Sequence, residues 1–211
     1  MRKLAPFLLA GWCLAVSAHA AEFRGVDWVQ HGELRFPDGA FDPANPGLDL
    51  LLNRGHSGVL EALAEPPLTQ LADEGALVRL TVIPWRSTPF MVRLSQAGGG
   101  FALDFKLAWG FASNPGGVES HDRFDMEVDA FLAVLDPLAA MQVCEDGTRA
   151  PAERGRSVWI VESLNGPYCV RAYASPDDPP AVALLTALLA PLRGLPVVVR
   201  QELETARGLG E

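Results

Sequence analysis

A regular alternation of apolar and polar residues over residues 77–107 constrains the fold of this chain more than any other feature. In LVRLTVIP every second residue is apolar, and the same period returns in PFMVRLSQ and, after the glycines of AGGG, in FALDFKLAW. Short alternating runs separated by a glycine turn predict an antiparallel meander with one solvent-exposed face. We therefore expect Arg79, Arg93 and Lys106 to project from that exposed face.

The next segment combines a loop signal with a helical one. ASNPGGVESHD, residues 112–122, is rich in turn-forming residues and predicts a loop. A helical stripe follows, and its members are Val128, Phe131, Leu132 and Leu135. We expect Asp125 to cap this helix and Pro137 to kink or interrupt it near its end.

A hairpin and a last helix complete the pattern. SVWIVES and YCVRAYA flank Asn165-Gly166, a pair that favours a tight β-turn. Asp178 then caps a predicted helix over Ala181–Leu192. The predicted order is βββ–α–ββ–α. It indicates an α+β fold with a mainly antiparallel sheet of about five strands and two main helices on one face.

The ends of the chain carry different signals. Residues 1–20 have a basic start, an apolar run of roughly 13 residues and a small-x-small cleavage site, which is typical of a secretory signal peptide. Residues 21–76 predict an irregular segment with short helices, one of them over GVLEALAE with Ser57 as its cap. Residues 77–200 predict the α+β domain, and residues 201–211 a tail.

Charge and compartment limit the classes of partner. Without residues 1–20, 15 basic residues remain against 26 acidic ones, a formal charge of −11. Such a chain lacks the basic surface that phosphate neutralisation requires, so we expect no nucleic-acid partner. The apolar run is shorter than the ~20 residues of a spanning helix, so we expect no stable membrane insertion. The prediction is a periplasmic or secreted protein.

The two cysteines that remain after signal cleavage, Cys144 and Cys169, predict a disulfide. An exported protein meets an oxidising compartment, where paired cysteines usually form a bond. Redox-active pairs commonly have Cys-x-x-Cys spacing, whereas these residues are 25 positions apart. No histidine lies near either of them, so the spacing does not suggest zinc.

The one hint of an enzyme surrounds Ser57. A strand, a tight turn carrying a serine and a helix form the nucleophile elbow of α/β-hydrolases, with His121 as an imaginable partner. The stretch GHSGV lacks the final glycine of that motif, and the chain lacks alternating βα units.

Acidic residues cluster at 119–129, but their spacing does not fit a calcium loop. We expect no metal, no cofactor and no catalytic constellation.

Glu162 stands out because its strand neighbours are apolar. It either lies on an exposed strand face with Arg171 as cross-strand partner, or joins Arg79 or Arg93 in a polar patch that binds a partner. Trp159, three positions earlier on the opposite face of the same strand, is expected to pack in the core. The candidate binding patch therefore consists of Arg79, Arg93, Glu162 and Arg171.

A set of short motifs runs through residues 77–195: Pro89, Val92, Arg93; Trp159, Ile160, Glu162; Gly166, Tyr168; Ser175, Pro176. In these motifs the chain resembles a widespread family of small exported bacterial proteins of unknown function. The resemblance implies fold and compartment and supplies no catalytic residue. The expected function is a non-catalytic binding or interaction domain of the cell envelope, with an envelope protein or a small ligand as partner. The alternatives are a small serine hydrolase using Ser57 and His121, and a structural envelope component.

Overall fold

A six-stranded antiparallel sheet forms the centre of the protein, which confirms the predicted α+β class. The computed structural model describes residues 33–144, 156–164, 166–174 and 178–208. The predicted signal peptide lies outside the described residues. So do Asn165 of the predicted turn and two residues of the family pattern, Ser175 and Pro176.

The strands follow one another as a meander with a hairpin added to it. They are β1 (Ala76–Ile83), β2 (Phe90–Ala97), β3 (Gly100–Phe111), β4 (Asn114–Met126), β5 (Val158–Ser163) and β6 (Cys169–Ala174). Their spatial order is β4-β3-β2-β1-β5-β6, and every neighbouring pair is antiparallel. The predicted meander and the predicted hairpin are both confirmed, and the sheet has one strand more than expected.

Helices cover both faces of this sheet. They are α1 (Pro46–Ala62), a 3₁₀ helix (Leu68–Glu74), α2 (Val128–Ala140), α3 (Pro179–Leu189) and α4 (Val197–Ala206). Helices α2, α3 and α4 pack on one face, while α1 and the 3₁₀ helix pack on the other. None of the helices in the described part of the chain combines the length and the apolar character needed to cross a membrane.

The face under α2–α4 is the larger apolar core. Trp159 is fully buried there and donates from Nε1 to Glu202 Oε1 of α4 at 2.8 Å, so its role is packing, as expected. Phe101 of β3 stacks on Phe131 of α2 with ring centroids 3.6 Å apart. The Asp178 carboxylate accepts from the amide of Ala181, which confirms the predicted cap of α3. Helix α4 was not predicted, and it includes residues 201–206 of the expected tail.

Strand β4 replaces the predicted loop at residues 112–122. It pairs with β3 from Phe101↔Met126 to Phe111↔Asn114, and helix α2 consequently starts at Val128, after Glu127, and not at Asp125. Because β4 lies at the sheet edge with most of its side chains exposed, it lacks the apolar alternation that marks a half-buried strand. Helix α2 runs through Pro137 to Ala140.

Helix α1 is longer than the predicted short helix, and Ser57 does not cap it. Asn45 is the N-cap and its side chain accepts from the amide of Leu48 at 3.2 Å, with Pro46 in the first turn. Ser57 lies in the interior of α1 and is 1% exposed. The Asn-Pro start was hidden in a stretch whose turn-forming composition favours a loop.

The face that carries Arg79, Arg93 and Lys106, called here the charged face, is buried and not solvent-exposed as predicted. Arg79 is 0%, Arg93 11% and Lys106 10% exposed in their side chains. The sequence pattern of alternating apolar and charged residues is the same whether the charged side chains are exposed to solvent or paired with buried carboxylates. The segment that covers this face, residues 33–75, supplies part of the opposite charge.

The disulfide Cys144–Cys169 is formed, as predicted, with a Cα–Cα distance of 5.2 Å. It joins the end of the α2 region to the first residue of β6. The bond spans 25 positions. It therefore ties one helix of the larger core to the outer strand of the sheet and restricts the unfolded chain.

Gly75 is the position where the fold most requires a glycine. It ends the 3₁₀ helix with φ 77°, and a Cβ built there would overlap the carbonyl oxygen of Gln96. Gly98 also has a positive φ, 60°, but a Cβ there meets nothing within 4 Å. A comparison of substitutions at the two glycines therefore distinguishes the free-energy cost of a left-handed backbone from the free-energy cost of a steric overlap.

We expect Gly98→Ala to destabilise the protein by about 1–2 kcal/mol, the cost of the left-handed conformation alone. Gly75→Ala should cost at least about 1 kcal/mol more, because β1 and β2 must separate to admit the methyl group. Urea unfolding of both variants measures the difference. Equal losses for the two variants would contradict the close approach at Gly75.

Candidate functional site

Glu65 lies in the turn that joins α1 to the 3₁₀ helix and packs against the charged face. The chain leaves α1 through Ala64, which has a left-handed φ of 50°, and the amide of Glu65 donates to Leu60 O at 2.8 Å. Pro66 and Pro67 cannot continue a helical hydrogen-bond ladder, so the turn is fixed there. The Glu65 side chain is consequently held in the interior, with 0% exposure.

Arg79 and Glu162 form a two-point ion pair in the middle of the same face. They are direct neighbours across β1 and β5. Arg79 Nε donates to Glu162 Oε2 at 2.6 Å, and Arg79 Nη2 donates to Glu162 Oε1 at 2.8 Å. Tyr168 also donates its hydroxyl to Glu162 Oε1, at 2.8 Å. Both charged side chains have zero exposure, so the pair forms in a water-free environment.

Glu65 receives cations from three adjacent strands. Its Oε2 lies 3.3 Å from Arg79 Nη1 of β1 and 2.7 Å from Arg93 Nη1 of β2. Its Oε1 lies 2.7 Å from Lys106 Nζ of β3. Arg79 and Lys106 also donate to backbone carbonyls of the Glu65 turn. One carboxylate therefore attaches the covering segment to three strands of the sheet.

Asp104 extends these contacts towards the edge of the sheet. Its Oδ2 accepts from Arg93 Nη2 at 3.1 Å and from Arg123 Nη1 at 3.4 Å, and its Oδ1 lies 3.1 Å from His121 Nε2. Burial alone raises the pKa of Asp104, but the hydrogen bond with His121 and the charges of Arg93 and Arg123 hold it below the usual value. Asp104 is therefore ionised at neutral pH.

The buried members of this ion-pair network balance in charge. They are the cations Arg79, Arg93 and Lys106 and the carboxylates Glu65, Asp104 and Glu162. His121 and Arg123, with side chains 48% and 53% exposed, form its outer edge. A balanced set avoids an uncompensated charge in the interior, which would be strongly destabilising.

Arg79 and Tyr168, the two donors to Glu162, both have raised pKa values. Burial and the Glu162 carboxylate raise the pKa of Tyr168, so its hydroxyl remains protonated and donates. Burial opposes the charge of Arg79, but Glu162 and Glu65 nevertheless raise its pKa. Arg79 and Tyr168 therefore keep their protons at neutral pH, and both continue to donate to Glu162.

The structure brings together three of the four residues of the predicted patch. Arg79, Arg93 and Glu162 share the ion-pair network, and the predicted pairing of Glu162 with Arg79 is present. Arg171 lies opposite Val161 on the other face, where its guanidinium donates to the carbonyl of Met141 at 3.0 Å. Arg171 therefore belongs to the junction of β6 with the end of α2, and not to the charged face.

Ser57 and His121 have separate environments. The Ser57 hydroxyl accepts from the amide of Arg35 at 2.8 Å and donates to Asn53 Oδ1 at 3.0 Å, inside the α1 layer. His121 is on edge strand β4 and contacts Asp104. A serine nucleophile has to meet both its base and its substrate, and the partners of Ser57 are a backbone amide and an asparagine.

Sequence reasoning missed Glu65, Tyr168 and the inward direction of Asp104 and Lys106. The available signal was that Asp104 and Lys106 alternate on one face of β3 together with Arg79 and Arg93 of the neighbouring strands. Opposite charges repeated along one face indicate cross-strand pairs. Glu65 gave no such signal, because its role depends on a turn outside any periodic segment.

No family model, no curated protein and no solved structure matches this chain. Among the described residues, no group of three or more His, Cys, Asp or Glu side chains is arranged to hold a metal ion.

We expect Arg79→Met to destabilise the protein by about 3–5 kcal/mol, because it leaves the Glu162 carboxylate buried without its main cation. The double variant Arg79→Met/Glu162→Met should be more stable than the sum of the two single variants predicts. Arg123→Met, at the exposed edge, is the matched control and should cost less than about 1 kcal/mol. A double-mutant cycle by urea unfolding measures the coupling. Strict additivity would contradict the pair.

The burial of the His56 imidazole predicts that the protein is less stable in mild acid. It is 5% exposed and packs edge-on against Phe41, and burial lowers its pKa from 6.5 to about 4. Between these values the unfolded chain binds a proton that the folded protein does not, so the stability decreases as the pH falls through this window. The contribution is on the order of 3 kcal/mol.

We expect His56→Phe to reduce this pH dependence, measured as the free energy of unfolding at successive pH values. His121→Gln is the control, because it leaves His56 in place and should preserve the loss in the same window. If the His56→Phe protein still lost the same stability between pH 6.5 and pH 4, another group would be responsible.

Proposed function

We propose that this protein is an exported, non-catalytic interaction domain of the cell envelope, of the bacterial family that its motifs resemble. The disulfide supports an oxidising compartment, because such bonds persist mainly outside the reducing cytosol. The charged residues of the sheet are engaged with one another, which supports a structural role for them. The surface that we propose for a protein partner lies elsewhere on the described part of the molecule.

The observation that carries the proposal is an exposed aromatic tip, formed by Trp85, Trp109 and Phe111. These side chains are 51%, 58% and 62% exposed. Trp85 lies in the β1–β2 connection, and Trp109 and Phe111 lie at the end of β3, beside the turn to β4; both places are at the same end of the sheet. Large aromatic side chains supply much of the energy of protein interfaces, and such exposure is unfavourable unless a partner covers them.

The two connections hold the tip in a defined shape. The amide of Ala112 donates to Ser87 O at 3.2 Å, and the amide of Ala108 donates to Pro89 O at 3.0 Å. These bonds join the β3–β4 hairpin to the β1–β2 connection. A surface that is ordered before binding loses less conformational entropy when the partner arrives, which favours affinity.

The aromatic tip carries little charge, whereas the chain as a whole is acidic. Residues 84–89 read PWRSTP and residues 109–118 read WGFASNPGGV, so Arg86 is their only ionisable residue. The complete chain carries a formal charge of −9. An apolar partner can therefore approach the tip without desolvating a carboxylate, which supports a largely apolar interface.

The test uses a photo-crosslinking amino acid at position 109, with position 132 on α2 as the matched control. Leu132 is also a large apolar residue, 51% exposed, but lies far from the tip along the chain and on a helix. We expect crosslinks to an envelope partner from position 109 and not from position 132.

Once that partner is purified, Trp109→Ser and Phe111→Ser should each weaken its binding by about thirtyfold, the effect of ~2 kcal/mol for an aromatic hot spot. Leu132→Ser should leave the affinity unchanged. Titration calorimetry gives the dissociation constants. Equal crosslinking from both positions, or full affinity in the two tip variants, would remove the support for the proposal.

A further inference from the structure

A small pocket opens beside the exposed end of the ion-pair network. It has a volume of about 240 Å³ and is lined by Leu71, Glu74, Ala76, Arg93, Ser95 and Arg123. Pockets for drug-sized molecules usually measure ~300–1,000 Å³, so this one suits a smaller ligand. It is separate from the aromatic tip and from the proposal made for that surface.

Two guanidinium groups line one side of the pocket. Arg93 Nη2 and Arg123 Nη1 contact the same oxygen, Asp104 Oδ2, at 3.1 and 3.4 Å, so the two groups lie side by side. The buried cations and carboxylates already balance, so the charge of Arg123 is additional. A guanidinium carries five N–H donors, and within the described residues Arg123 uses one of them.

Such a pair matches a carboxylate group. A planar guanidinium binds the two oxygens of a carboxylate in a fork geometry, and a buried hydroxyl beside it can add a third contact. Ser95 is 4% exposed, and its hydroxyl makes only a long hydrogen bond, 3.5 Å, to Ala102 O. The cationic part of the lining therefore offers several unsaturated donors at one place.

The rest of the lining has the complementary chemistry. Glu74 is exposed, at the end of the 3₁₀ helix, and supplies a carboxylate that can accept from an ammonium group. Leu71 and Ala76 are 6% and 4% exposed and provide apolar contact. A simple anion would be repelled by Glu74, whereas a ligand with both charges would find a partner for each.

We infer that this pocket binds a small zwitterion with a short apolar side chain, the chemical class of the free amino acids. The ligand carboxylate contacts Arg93 and Arg123, its ammonium group contacts Glu74, and its side chain packs against Leu71 and Ala76. The site is a binding site only, and no bond is made or broken in it.

The experiment is titration calorimetry of the purified protein with three matched probes. Leucine carries both charges, isocaproate lacks the ammonium group, and isopentylamine lacks the carboxylate. We expect leucine to bind, and each of the other two probes to bind about tenfold or more weakly, because a hydrogen bond to a charged group is lost.

Variants then identify the residues. Arg123→Gln and Glu74→Gln should each weaken leucine binding about tenfold, since each removes one charged contact. Arg86→Gln, an exposed arginine in the β1–β2 connection, is the control and should have no effect. Both test residues are largely exposed, so the variants should fold, and thermal unfolding verifies this.

Several results would overturn the inference. The first is the absence of any binding heat with leucine. The second is that isocaproate binds as tightly as leucine and that Glu74→Gln has no effect, because this combination would indicate a simple anion site. An equal loss in Arg86→Gln would indicate a general charge effect. If Arg123→Gln failed to fold, the Glu74→Gln result and the three probes would still decide.

Discussion

The burial of the Glu65 carboxylate is the interaction on which the arrangement of this protein depends. Arg79, Arg93 and Lys106 come from three adjacent strands, and their charges can leave water only because carboxylates meet them. Glu65 is the carboxylate that comes from outside the sheet. The covering segment and the sheet therefore depend on each other: without the turn at Glu65 the sheet would expose its cations, and without the cations the turn would bury an unpaired charge.

The alternation over residues 77–107 predicts the strands well because it reflects backbone geometry, in which successive side chains point to opposite faces. It does not predict what covers each face. Arg79 and Arg93 have the same pattern in an exposed strand and in a buried one, and their partner Glu65 lies 14 and 28 positions away. The wrong expectation of a solvent-exposed face arose from this long-range pairing, which periodicity does not contain.

The other predictions from the sequence were also correct where the cause is local in the chain and wrong where it is distant. The cap at Asp178 and the pairing of β5 with β6 are local effects, and both are present. The disulfide was predicted from an even number of cysteines and from the oxidising compartment that an exported chain would meet, and the bond is present. Strand β4 was missed because backbone pairing with β3 stabilises it, while its polar side chains give no apolar period.

The position of the covering segment also determines where binding can occur. Beneath it, charges such as Arg79 and Glu162 are engaged with each other and closed to solvent. Where the cover ends at the 3₁₀ helix, Arg93 and Arg123 meet a pocket that solvent can enter. At the opposite end of β1, the hairpins extend far enough to expose Trp85 and Trp109. The same layer that stabilises the sheet thus leaves two chemically different surfaces open, one charged and one aromatic. A single partner that contacts one of them need not affect the other.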